Sequence, residues 1–515
     1  LADTDEQESA MGTGQIVPSA PVERTAPRRW KRRLLLAFAS YTLVSLLAIF
    51  AAFLLGWASY ARSLPDPSGW HFDGPASEFA ASDADADYTF DDYLAQEAKV
   101  FAELDASIDG EWKAAAQQRF NRFNRASVSF PGVGFDRDWN RTVVLEAEAP
   151  KGGALMVHGL SDSPYSIRAA AEAMRAKGWT VIALRVPGHG TSPGALAEAS
   201  WRDWAAAFRV AAKGLRERIP DGAPLVFFGF SNGGALCVDY SVDALEDPSL
   251  PRADAVVLYS PMIGIAPIAR VSKLYRLISW FPPFEKVRWM HIEDEIDPYK
   301  YSSWPMRASE QAFLLTSRIA ARLASAARSG RAAELPPMLA FQSIVDSTVR
   351  VPDLMRTLFD RLPPGVSELI FFDLNDDAVF QDLLRDGNAP LVQQRMENAA
   401  LPYRLTLVTG DDAGVIARTR DGDAVTERPL GLNWPAEVFS LSHVAVPIRP
   451  DDPVLGTREA SEGFPAIALG AIRVRGEHGV LRVSEGLVMR MRHNPFYAFV
   501  EAETDAWLKK VVGQE

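Results

Sequence analysis

The chain has 515 residues, 48% hydrophobic and 23% charged, a composition that builds a core rather than a disordered chain. Its formal net charge of −12 argues against a nucleic-acid partner, whose phosphates need a basic surface. One cysteine, Cys237, permits no internal disulfide and leaves the redox compartment open. Its place in a helical pattern suits a small buried packing residue.

Leu1 to Pro27 is polar, mixed in charge and contains prolines, which predicts a disordered tail. Leu34 to Trp57 reads LLLAFASYTLVSLLAIFAAFLLGW, without a charge. About 20 such residues span a bilayer as a helix. RRWKRR, Arg28 to Arg33, precedes the run, and only Arg62 follows it closely. The positive-inside rule therefore places residues 1–33 in the cytoplasm, 34–57 across the plasma (inner) membrane, and the rest in the periplasm or outside the cell. A cleaved signal peptide is the other reading, with a small-residue site at Ser59-Tyr60-Ala61. The apolar run exceeds the roughly 7–15 residues of a signal core, so an uncleaved anchor is expected, and both readings export the remainder of the chain.

Residues 58–125 are expected to hold a tether and an N-terminal helix. Ser63 to Asp87 is rich in Pro, Gly, Ser, Ala and Asp, which suits a tether. Its acidic run, Asp83 to Asp92, reads as a solvated spacer rather than a cation site. Tyr93 to Ile108 has helical spacing.

Apolar runs then recur at Val143–Leu145, Ala154–Val157, Thr180–Leu184, Leu225–Phe228, Ala255–Leu258, Met338–Phe341 and Glu368–Phe372. Amphipathic stretches at Ile167–Lys177, Trp201–Arg218 and Gly233–Leu245 lie between them. Strands alternating with helices predict an α/β fold with a mostly parallel sheet covered on both faces. Two stretches break the alternation. Residues 263–335 are aromatic and helical in tone, and residues 375–440 contain a hairpin pattern, RLTLVTGDDAGVIARTRDGDAV. Both read as insertions.

GFSNG, Gly229 to Gly233, matches G-x-S-x-G between a strand and a helix. That chemistry needs a serine on a tight, strained turn, with glycines leaving room for its neighbours and a helix N-terminus behind it. A serine hydroxyl is a poor nucleophile without a base and a group orienting the base. In this architecture they follow as Ser, acid, His. Asp346, in SIVDSTV, stands just past a strand's carboxyl end. His443, His478 and His493 follow it. His443, in FSLSHVAVP, is the expected base, while His478 lies in a polar turn and His493 at the entry to the last helix. An oxyanion would be held by the N–H groups of Asn232 and Leu160, the latter in VHGLSDSPYS. There Gly159 allows a sharp turn, and His158 is structural.

Four segments taken in order, VHGLSDSPYS, VIALRVPGHGTSPGAL, GFSNGGAL and the pair SIVDSTV with LSHVAVP, resemble the α/β-hydrolases of the esterase/lipase branch. Monoacylglycerol-lipase-like enzymes and bacterial carboxylesterases are members. The resemblance covers roughly residues 142–262, 336–374 and 440–508 of a domain expected over 126–515. It implies the α/β-hydrolase fold, a Ser231–Asp346–His443 triad and ester hydrolysis through an acyl-enzyme, with neither cofactor nor metal. A small-molecule or lipid ester would be the substrate. Residues 263–335 would form a cap, with Leu274, Leu277, Ile278, Trp280 and Phe281 either lining an acyl pocket or packing the cap. The interval from Asp346 to His443 is longer than is common in the branch, and the membrane helix is an addition.

HIEDEID, His291 to Asp297, has metal-ligand residue types but no defined spacing, and reads as a solvated cap surface. An acyltransferase would use the same triad, an amide-cleaving enzyme is a further alternative, and a silent binding protein would keep only the fold. The oligomeric state is open.

Overall fold

All seven apolar runs form strands, because each is short, β-branched or aromatic, and flanked by turn residues. They are β1 (Val143–Leu145), β2 (Gly153–Val157), β3 (Thr180–Leu184), β4 (Leu225–Phe230), β5 (Ala255–Tyr259), β8 (Met338–Ser343) and β9 (Glu368–Phe372). A separate pair, β6 (Trp289–His291) and β7 (Trp304–Pro305), lies between β5 and β8 in the chain. The structure is a computed structural model that describes residues 28–265, 282–375, 383–411, 414–473, 480–481 and 483–513.

β10 (Arg404–Asp411), β11 (Gly414–Asp421) and β12 (Ala424–Pro429) complete one ten-stranded sheet of order β1-β3-β2-β4-β5-β8-β9-β10-β11-β12. The expected hairpin is thus three strands that extend the main sheet. β10 runs parallel to β9, with Leu407 opposite Phe371, and β11 and β12 then return antiparallel. β12 is exposed along its length, and its Glu427, Arg428 and Pro429 discourage pairing with another chain.

The chain divides into two units, Leu1–Tyr60 and Ala61–Glu515. Residues 28–60 of helix α1 (Arg28–Ser63) are the described part of the first. Leu35, Phe38, Val44, Ile49 and Leu55 are all exposed on it. It is long and apolar enough to cross a membrane.

In the second unit, α2 (Phe90–Asp109), α4 (Trp201–Glu217), α5 (Asn232–Glu246) and α6 (Met306–Arg328) cover one face of the sheet, and α3 (Arg168–Ala176) and α7 (Tyr497–Val512) the other. Alternate strand residues feed the two cores: Leu155, Phe227 and Leu258 face α4 and α5, whereas Met156, Phe228 and Tyr259 face α3 and α7. Each such side chain stabilises the fold by roughly 1.5–3 kcal/mol through burial.

The expected tether is packed instead. Trp70, His71 and Phe79 are buried, and the Trp70 ring lies 5.0 Å from that of Phe123. Arg185, itself buried, binds Glu78 at 3.0 Å and Glu97 at 2.8 Å, joining this segment and α2 to the end of β3. Widely spaced aromatics among Pro, Gly and Asp do this, a spacing that composition alone hides.

Candidate active site

The carboxyl ends of β2, β4, β5 and β8 lie side by side, with Val157 opposite Gly229, Phe230 opposite Tyr259, and Tyr259 opposite Phe341. The chain passes from β2 to β3 on one side and then to β4 and β5 on the other. The crevice where such an order reverses is where open α/β sheets bind ligands.

Ser231 stands there, between β4 and α5, with φ 52° and ψ −109°. That left-handed conformation costs a non-glycine residue on the order of 1–3 kcal/mol and persists only when its surroundings enforce it. The Ser231 N–H donates to the Tyr259 carbonyl at 2.9 Å, and the Ser231 carbonyl accepts from Met262 N–H at 2.9 Å. Gly233 N–H donates to His158 O at 3.0 Å. A side chain at Gly233 would collide with the Val157 carbonyl, and one at Gly229 would meet Gly234 Cα at 2.5 Å. Both glycines of the motif are therefore demanded by the closeness of β2, β4 and α5.

The loop after β2 abuts this turn. A Cβ built on Gly159 would lie 3.0 Å from Phe230 Cε1 and 3.3 Å from Ser231 Cβ. Asp162 N–H closes a turn onto Gly159 O at 3.3 Å, with Ser161 at φ 61°. His158 Nε2 accepts from Val186 N–H at 3.2 Å, so its neutral ring carries the proton on Nδ1 and donates to Gly159 O at 2.8 Å. Burial, with His189 beside it, holds His158 well below the usual histidine range and keeps it neutral. A trans peptide points C=O and N–H in opposite directions. Drawing the Gly159 carbonyl toward His158 therefore turns the Leu160 N–H away from it. Asn232 is the first residue of α5, so its N–H is one of the helix-start donors without an intrahelical acceptor.

Asp346 follows β8 on a turn closed by its own N–H on Ser343 O at 3.2 Å. Its Oδ1 accepts from Thr348 N–H at 2.8 Å and Val349 N–H at 3.0 Å. Its Oδ2 lies 2.8 Å from Nδ1 of His443. Both side chains are buried. Burial alone would raise the Asp346 carboxyl, but the His443 ring and the two backbone N–H groups outweigh it and hold the pKa below its ordinary value. His443 opens a short 3-10 turn, His443–Ala445. Ser442 Oγ donates to Met491 O, and Asn494 Nδ2 to Val446 O at 3.2 Å, which anchors that turn to the segment before α7.

The structure thus pairs Asp346 with His443 directly and sets the His443 ring 5.3 Å, centre to centre, from Phe230, the residue before Ser231. Among the described residues Ser231 Oγ makes no hydrogen bond to His443; such bonds commonly tighten only when substrate binds. His493 Nδ1 bonds Leu455 O at 3.3 Å instead, while His478 lies outside the described residues. So do Leu274, Leu277, Ile278, Trp280 and Phe281 of the expected cap. The later part of that stretch is α6, whose Leu315, Ile319 and Leu323 join the core and whose Arg318 pairs with Asp239 of α5 at 2.9 Å.

HIEDEID is not simply a solvated surface. Glu295 is buried and accepts from Ser302 N–H at 3.0 Å and Ser303 N–H at 2.8 Å, and Asp297 is buried against Arg492 at 3.0 Å. No group of metal-ligating residues is assembled among the described residues. Cys237 is buried within α5, and burial raises its thiol far above the usual range. Sequence reasoning did not find Lys300, whose Nζ donates to Leu160 O at 3.3 Å, nor Arg490, whose guanidinium donates to Thr348 Oγ1 at 2.8 Å. Neither belongs to a motif, and each reaches the site from a distant loop.

A strained serine between a central strand and a helix, with an acid and a histidine joined on the loops beyond it, is the arrangement that the α/β-hydrolase fold presents. Residues 148–331 match the family described as Hydrolase_4, serine aminopeptidase, S33. Over 84 residues the chain is 34% identical to a thermostable monoacylglycerol lipase of Bacillus sp. (strain H-257), a match spanning 16% of this chain and 32% of that protein. Among solved structures, the metagenome-derived lipolytic enzymes LipS and LipT match with 22% identity and a TM-score of 0.36, over 50% of this chain and 95% of theirs. The Paleococcus ferrophilus monoacylglycerol lipase matches with 19% identity and a TM-score of 0.34, over 45% and 88%. The fold is the α/β-hydrolase fold, and the family match covers residues 148–331 of the 515.

Proposed function

We propose that this chain hydrolyses carboxylic esters through an acyl-enzyme on Ser231. The observation that carries the reading is the 2.8 Å His443–Asp346 contact beside a serine held in a strained turn. His443 takes the Ser231 proton through Nε2 as Oγ attacks the ester carbonyl. Asp346 holds the Nδ1–H tautomer and stabilises the imidazolium that forms. The N–H groups of Leu160 and Asn232 receive the oxyanion, each worth roughly 100–1,000-fold in rate. His443 then returns its proton to the leaving alcohol, and water repeats the sequence on the acyl-enzyme.

The apolar helix acts as an uncleaved anchor. The arginines and lysine of Arg28–Arg33 keep the N-terminal tail in the cytoplasm and the hydrolase on the far side of the membrane.

The test uses the full chain in detergent, with p-nitrophenyl esters from acetate to palmitate and a fluorophosphonate probe, for wild type and Ser231→Ala. Turnover and labelling are expected to vanish together in the variant, and the preferred chain length separates esterase from lipase. Folded wild type with neither turnover nor labelling would overturn the reading.

A further inference from the structure

A cavity of about 610 Å³ opens beside His443 and Asp346, within the range of small-molecule sites. Among the described residues four arginines line it, Arg385, Arg473, Arg490 and Arg492, against two carboxylates, Asp346 and Glu437. Asp346 is committed to His443 and to two backbone N–H groups. Glu437 pairs with Arg473, and Arg492 pairs with Asp297 at 3.0 Å. Among the described residues neither Arg385 nor Arg490 has a carboxylate within ion-pair distance, and Arg490 bonds the Thr348 hydroxyl, two residues from Asp346, whose charge acts on it from farther off. In a chain of net charge −12, two guanidinium groups on one cavity outside any ion pair among the described residues stand out. Guanidinium matches phosphate and carboxylate in a two-pronged geometry.

Two further features set where that anion sits. Much of the remaining lining is apolar, including Leu374, Phe439 and Met489. Arg490 and Arg492 also line a small adjoining cavity with Lys300, where Lys300 faces Asp162 at 3.9 Å and Arg492 pairs with Asp297, which among the described residues leaves Arg490 as the cation there outside an ion pair. His443, which lines the larger cavity, must reach the leaving oxygen, and on that ground the alcohol part of an ester is assigned to that cavity.

We propose that the ester taken by this site carries an anionic group, a phosphate or a carboxylate, on its alcohol part, bound by Arg385 and Arg490. This rests on the ester-hydrolase reading above.

The test uses the full chain in detergent with three matched esters: 1-butyrylglycerol, 1-butyrylglycerol 3-phosphate and 3-butyrylglycerate. Wild type is expected to favour at least one anionic ester by about tenfold or more in kcat/KM, the scale of one charge-assisted hydrogen bond. Which of the two is favoured tells phosphate from carboxylate. In Arg385→Gln and Arg490→Gln the anionic-to-neutral ratio falls, and in wild type it shrinks as salt rises from about 50 to 500 mM. A wild-type ratio near one overturns the proposal. So does an equal loss on all three esters in the variants, which would make Arg490 a support for the Thr348–Asp346 turn rather than a substrate ligand. Calorimetry on Ser231→Ala reads binding apart from turnover, with the ethers 1-O-butylglycerol, its 3-phosphate and 3-O-butylglycerate. Tighter binding of an anionic ether without turnover of any ester by wild type would sink the hydrolase reading and leave the anion site standing. Equal binding of all three ethers would sink the anion site.

Discussion

Nδ1 of His443 lies 2.8 Å from Oδ2 of Asp346, although 97 residues separate them in the chain. The other carboxylate oxygen is occupied by Thr348 and Val349 N–H, so the acid cannot rotate away. In Asp346→Asn the amide oxygen can keep those two bonds while its NH2 faces His443, which forces the wrong imidazole tautomer. Ester kcat is expected to fall by about 10³–10⁴-fold with little change in Tm, measured by steady-state kinetics beside thermal melts.

The base is tested by contrast. His443→Ala should lower kcat by about 10³-fold or more. His493 serves the Leu455 carbonyl, and His493→Ala should retain most of the turnover. The same is expected for His478→Ala. Comparable losses at His443 and His478, with both variants folded, would undo the assignment.

His158 touches no reacting atom. By drawing the Gly159 carbonyl toward itself it would orient the Leu160 N–H of the proposed oxyanion hole, as a positioning residue. His158→Leu is expected to lower kcat by about 10–100-fold with KM nearly unchanged, because the lost interaction belongs to the transition state. The rate of fluorophosphonate labelling should fall in parallel. A rise in KM at constant kcat would point to substrate binding instead.

Glu295 gives the fold a pH dependence of definite sign. Burial pushes its carboxyl up from 4.5 to about 7, against the lowering by Ser302 and Ser303 N–H and by Arg122. The folded state therefore keeps its proton where the unfolded chain has lost it. The stability Glu295 contributes is full below about pH 4.5 and is lost as pH rises to about 7, on the order of 3 kcal/mol. Denaturation of wild type and Glu295→Gln from pH 4 to pH 8 should show wild type losing ground to the variant over that window. Parallel curves would show that the proton is not held.

Much of the fold was legible because burial on both faces leaves a local mark. The strands Leu225–Phe230 and Ala255–Tyr259 are continuous apolar runs, and Trp201–Glu217 shows its helical stripe. The strand pairing of the second expected insertion was hidden for the opposite reason. Arg404–Asp411 looks like one arm of a hairpin, and nothing local says that its other edge pairs with Glu368–Phe372. Likewise Trp70 and Phe79 sit in a segment whose composition is that of a linker, and only their partners reveal them as core.

The sequence by itself determined the strand–turn–helix around Ser231, since GFSNG after LVFF encodes a local geometry: a buried strand, a strained turn, and glycines where backbones touch. It also supplied the order of serine, acid and histidine. Tertiary structure alone decided that Asp346 meets His443 across 97 residues, that His158 turns the Leu160 peptide, and that Arg385 and Arg490 share one cavity. Such relations depend on which loops the sheet order brings to its carboxyl edge, and strand pairing over long separations is set by the packing of the whole core rather than by any stretch of residues.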